Sequence, residues 1–111
     1  MTIETSKGEY AQLVATPTVN TAVAISGQKT VTTAGTAVQG ANVPLDNGVF
    51  IAGLSSNTGK VYVGNDGEDD VSATTGYELG AGESVLIHVA NLNELWFDAA
   101  VNGEGICWIK A

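Results

Sequence analysis

The chain contains no arginine, and its basic residues amount to four lysines against 12 acidic side chains, for a formal net charge of −8. That balance excludes nucleic acid as an expected partner, because phosphate contacts need clustered Lys and Arg. It excludes an anionic membrane surface on the same ground. Two readings of the charge remain, solubility alone or a cationic partner surface. Cysteine is nearly missing as well. The single Cys107 admits no intrachain disulfide, and a lone Cys in a strand reads as a small buried hydrophobe. No apolar run approaches the ~18 residues of a membrane span. No basic start followed by an apolar stretch marks a signal peptide. Synthesis and assembly in a cytoplasm is the expectation.

The residues that are plentiful point to β structure. Hydrophobic residues make up 44% and charged ones 14%, so the chain is expected to fold rather than stay disordered. Its 111 residues fit one domain, which buries roughly two thirds of its unfolded surface. Many Val and Thr, 14 Gly and only two Pro suggest short strands joined by tight turns. Residues 1–21 carry scattered apolar positions among polar ones. Thr16-Pro17 favours an extended backbone there. This segment reads as an N-terminal arm, and residues 22–111 read as the folded domain.

Regular punctuation begins at Ala22. Val19, Thr21, Val23 and Ile25 alternate as a strand that Gly27 ends, and two short strands flank Ala34-Gly35. Asn47-Gly48 and Asn102-Gly103 are two-residue hairpin signals, since both turn positions want positive φ. Strands are expected over 49–55, 60–63, 83–89, 95–101 and 104–109. A hairpin at Asn102-Gly103 pairs Phe97 with Trp108 and Ala99 with Ile106 on one face. On its other, mixed face Trp96 meets Ile109 and Asp98 meets Cys107. No segment sustains a 3.6-residue period. About eight short strands with frequent turns predict an all-β fold, a small antiparallel β-sandwich or jelly-roll-like barrel with an extended N-terminal arm.

Catalytic chemistry has little to work with. A Ser-His-Asp set is formally possible around the one histidine, His88, but no nucleophile-elbow spacing is present. His88 sits opposite Val85, Ile87 and Val89 and reads as a surface histidine. Asp66, Glu68, Asp69 and Asp70 crowd one loop, where hard oxygens could hold Ca²⁺, dock a basic partner or simply be solvated. The spacing is not that of an EF-hand loop, which places a glutamate at its twelfth position. Gly80-Ala81-Gly82-Glu83 lacks the Lys-Ser/Thr ending of a phosphate loop and reads as a turn. Trp96 beside Asp98 suits either a sugar platform or burial between sheets or subunits. The chain is expected to be no enzyme, with no cofactor and no bound metal.

Three stretches carry a resemblance. They are Gly27-Gln28-Lys29-Thr30-Val31 through Gly35-Thr36-Ala37-Val38-Gln39, then Ser56-Asn57-Thr58-Gly59-Lys60-Val61-Tyr62-Val63-Gly64. The third runs from Gly76-Tyr77-Glu78-Leu79 through Leu95-Trp96-Phe97-Asp98-Ala99 to Gly105. From about Ala22 onward the chain resembles a small β domain of tailed-bacteriophage virion proteins, described as head fibres or capsid decoration proteins. The resemblance implies a virion component on the outer capsid surface, often trimeric, assembled in the host cytoplasm and bound to the phage major capsid protein. It also implies that the arm lies on the capsid or on a neighbouring subunit. On that reading Ile3, Tyr10, Leu13 and Val14 of the arm, with Trp96 and Ile109 of the mixed hairpin face, make the capsid or subunit contacts. The rival expectation is a head or tail fibre adhesion module binding host-surface or mucus carbohydrate.

Overall fold

A computed structural model describes residues 24–67 and 70–111. The arm expected over 1–21, with Ile3, Tyr10, Leu13 and Val14, lies outside the described residues, as do Glu68 and Asp69. Within them the chain forms β1 (Ser26–Thr30), β2 (Val38–Gln39), β3 (Val49–Gly53), β4 (Val61–Gly64), β5 (Tyr77–Leu79), β6 (Ser84–Ile87), β7 (Trp96–Ala99) and β8 (Gly105–Lys110). A 3₁₀ turn at Leu92–Glu94 precedes β7. Asn91 caps it by accepting from the Asn93 amide. Among the described residues no helix is long and apolar enough to cross a membrane.

The strands build two antiparallel four-stranded sheets, ordered β1-β8-β3-β6 and β2-β7-β4-β5. Successive strands change sheet at every connection except β4–β5. Eight strands wound this way form the jelly roll, two Greek keys folded into a sandwich. The expected sandwich or jelly-roll architecture is what the chain adopts.

Alternation along each strand explains the layers, because successive side chains leave a strand on opposite faces. Val49, Ile51, Ile106 and Trp108 point inward from the first sheet. Val61, Val63, Leu79, Phe97 and Ala99 point inward from the second, and all nine are buried. Val31, Val43, Leu45, Leu92 and Leu95 close the ends of the same cluster. Burying such a side chain stabilises the fold by about 1.5–3 kcal/mol.

Both Asn-Gly turns are present, with Gly48 and Gly103 at φ of +88° and +82°. Neither joins a hairpin. Asn47-Gly48 lies between β2 and β3, and Asn102-Gly103 between β7 and β8, strands of opposite sheets. Phe97 pairs with Val38 and Val63, while Trp108 pairs with Gly27 and Ile51. The expected hairpin is therefore corrected. Its inward parity holds, but the two apolar rows meet across the interior instead of lying side by side. The strands stop at Ala99 and restart at Gly105, so residues 100–104 turn the corner between sheets. Gly27 is also corrected: it lies inside β1, where an added Cβ would meet the Trp108 ring at 3.0 Å, so it lets the indole lie against the strand.

Polar side chains fasten the corners. Buried Asn57 donates to the Gly105 carbonyl at 2.8 Å and accepts from the Gly105 amide at 3.3 Å. Glu104 accepts from the Gly59 amide at 2.9 Å and from the Thr58 amide and hydroxyl at 2.8 and 2.7 Å. The Gly59 amide bond, with the two Thr58 bonds, holds the Glu104 carboxyl below its usual range.

Two outcomes follow. Phe97→Ala opens a cavity where both sheets meet and is expected to lower unfolding free energy by about 3–5 kcal/mol in urea titration; a loss below about 1 kcal/mol contradicts its central placement. Because its folded pKa is depressed, Glu104 contributes stability above the unfolded glutamate value of about 4.3, and this is lost as pH falls through the folded pKa. Melting curves between neutral and strongly acidic pH should therefore show a shallower acid loss for Glu104→Gln than for the wild type.

Candidate functional site

The two outer faces of the sandwich differ in chemistry. On the first sheet, register places Ile109, Phe50 and Leu86 in one row across β8, β3 and β6, with Ser26 at the β1 end. The next row is Gln28, Cys107, Ala52 and Ser84. No residue of these rows is charged. Phe50 is 43% exposed, Leu86 40% and Ile109 48%. Phe50, Ala52, Ser84, Cys107 and Ile109 line a shallow cavity of about 320 Å³. An apolar strip with a polar, uncharged margin is unusual on a surface with so many carboxylates, and such patches mark docking surfaces. His88 is exposed beyond Leu86, while Val85, Ile87 and Val89 pack on the core.

On the second sheet the outer face carries Trp96 and Asp98 of β7 and Tyr62 of β4, with Tyr62 directly opposite Asp98. The β4–β5 loop and the turn at Ala34-Gly35 crowd this face. Asp98 and Tyr62 are buried and Trp96 is half-buried. Asn65, Asp66, Gly67 and Trp96 line one cavity of about 460 Å³. Asp98, Tyr62, Gly35 and Ser72 contribute to another of about 480 Å³, which Gly67 also borders.

Trp96 and Ile109 therefore occupy opposite outer faces of the sandwich, as do Asp98 and Cys107. The single mixed face expected from the hairpin does not exist, because its two strands belong to different sheets. Cys107 is half-buried on the outer face rather than sealed in the core.

The acidic loop is held by its own carboxylate. Asp70 accepts from the Asp66 amide at 2.7 Å through Oδ1 and from the Asn65 amide at 3.1 Å through Oδ2. Those bonds commit both oxygens to closing the loop. Asp66 lies in the same turn and borders the Trp96 cavity. Among the described residues no group of three or more His, Cys, Asp or Glu side chains is placed to hold a metal ion.

Phe50 and Leu86 were not singled out in sequence. The signal for them is alternation: in Val49-Phe50-Ile51 and Val85-Leu86-Ile87 the middle residue faces away from two core residues. Comparison with known proteins finds no matching family model, no matching curated protein and no matching solved structure.

Asp70→Ala frees the Asn65 and Asp66 amides and loosens the loop bordering Trp96. The expected result is a loss of about 1 kcal/mol in stability, with a red shift in indole emission and greater quenching by acrylamide. An unchanged emission spectrum would show that Asp70 does not organise the loop against Trp96.

Proposed function

We propose that this jelly roll is a structural component of a phage virion, one that decorates the capsid and stabilises it by binding major capsid protein subunits. The observation that carries the reading is the uncharged outer face of β1-β8-β3-β6, with Ile109, Phe50 and Leu86 exposed in one row. A chain of net charge −8 that keeps one whole sheet face free of charge presents a surface able to leave water against another protein. The resemblance in sequence supplies the kind of partner. The sandwich supplies the rigid body such a role needs, and many copies around one shell strengthen weak contacts through avidity. The arm over residues 1–21 is proposed as a second attachment point and the homotrimer as the assembled form. Their common location is the outer capsid surface.

A second reading, carbohydrate adhesion from a head or tail fibre, draws on the half-buried Trp96 beside Asn65 and Asp66. An indole next to amide and carboxylate groups can stack on a sugar and bond its hydroxyls.

Co-sedimentation with empty shells of the cognate capsid protein separates the two. Phe50→Asp and Ile109→Asp should each weaken shell binding by about tenfold or more, as expected when a charge enters an apolar contact, with unchanged circular dichroism. Trp96→Ala should leave shell binding intact. Full-strength shell binding by both aspartate variants, together with glycan binding abolished by Trp96→Ala, would replace decoration by adhesion.

A further inference from the structure

The second sheet buries an acid that has no counter-charge among the described residues. Asp98 is 4% exposed on the outer face of β7. Its Oδ1 accepts from the Gly35 amide at 2.9 Å and the Ala99 amide at 2.8 Å. Its Oδ2 has no hydrogen-bond partner among the described residues, and no lysine pairs with it there. Directly across the ladder stands Tyr62, 6% exposed, whose hydroxyl likewise has no partner among the described residues. Cross-strand neighbours of this kind hold their Cβ atoms roughly 5 Å apart. Both residues line the same open cavity of about 480 Å³, which Ser72 and Gly35 also border.

Buried carboxylates are costly unless paired. Two amide bonds satisfy one oxygen, and the residue borders a space that holds more than one water. A single carboxylate is too few ligands for a hard divalent cation, which takes about six to eight oxygens. An organic cation fits better, because one N–H donor meets Oδ2, its charge is compensated, and the phenol ring flanks it. The chain's acidity adds a field that draws cations in.

We infer that the Asp98–Tyr62 cavity is a binding site for an ammonium or guanidinium group. This site lies on the face opposite the uncharged docking sheet and does not depend on the role given to that sheet.

The test is a titration of the full-length, ¹⁵N-labelled protein with methylguanidinium or n-butylammonium chloride at constant ionic strength. The readout is the Gly35 and Ala99 amide resonances, since both amides bond Asp98. Saturable shifts are expected, and tetramethylammonium, which has no N–H, should not produce them. Asp98→Asn should weaken binding by about tenfold or more, the range for a hydrogen bond to a charged group, and Tyr62→Phe by less. Should Asp98→Asn fail to fold, the contrast with tetramethylammonium and the Tyr62→Phe variant still decide. Saturation by the free cations assigns a small-molecule occupant. Saturation only by the peptides Gly-Arg-Gly or Gly-Lys-Gly assigns a basic side chain of a protein partner. Shifts that stay linear, that tetramethylammonium reproduces, that a folded Asp98→Asn variant retains, or that a neutral methyl glycoside alone produces overturn the inference.

Discussion

Apposition of two inward-facing apolar rows, Ile106 and Trp108 of β8 over Phe97 and Ala99 of β7, is the contact on which the sandwich turns. β8 pairs with both β1 and β3, and β7 with both β2 and β4, so each is an interior strand of its sheet. Whatever separates them separates the two sheets. The corner at residues 100–104 must therefore be held firmly, and it is bonded from two sides. Asn57 grips the Gly105 backbone and Glu104 grips the turn at Thr58 and Gly59. Each fastener ties the β3–β4 connection to the start of β8, so the turns at one end of the sandwich are locked to the strand that joins the sheets.

With the core so enclosed, function is left to the outer faces, and they have been given opposite characters. The first sheet is bare, and its outward side chains are apolar or neutral. The second is roofed by Gly67 and residues 71–76 of the β4–β5 connection, which among the described strands alone returns to its own sheet. That roof converts a strand face into cavities and puts Asp98 and Tyr62 under cover. One face suits broad contact with another protein. The other suits recognition of a single charged group. A decorating role and a selective pocket are compatible because they do not compete for surface.

Much of this was legible residue by residue. The all-β class, the positions of β3, β4, β6, β7 and β8, and the inward parity of Phe97, Ala99, Ile106 and Trp108 follow from alternation and turn chemistry. So does the outward position of His88. The false strand pairings share one cause. Asn47-Gly48 and Asn102-Gly103 adopt the backbone their residues favour, with positive φ at each glycine, yet a turn of that kind serves a corner between sheets as well as a hairpin. From that single misreading came the false neighbours Trp96 with Ile109 and Asp98 with Cys107. Gly27 misled for a related reason, since a glycine inside a strand and one ending it look alike until Trp108 is seen to lie against it.

Which way a side chain points is a local property, fixed by its place in the alternation and by the few residues around it. Strand class, turn positions and the division into core-facing and outward residues were accordingly settled by the order of amino acids. Which strand lies beside which depends on contacts between residues far apart in the chain, and several pairings satisfy the same alternation. Only the packed sandwich chose among them. It moved β7 and β8 to opposite sheets, gathered Phe50, Leu86 and Ile109 into one bare face, and set Tyr62 against Asp98 beneath a loop, because burying both apolar rows against each other removes more surface from water than laying them side by side.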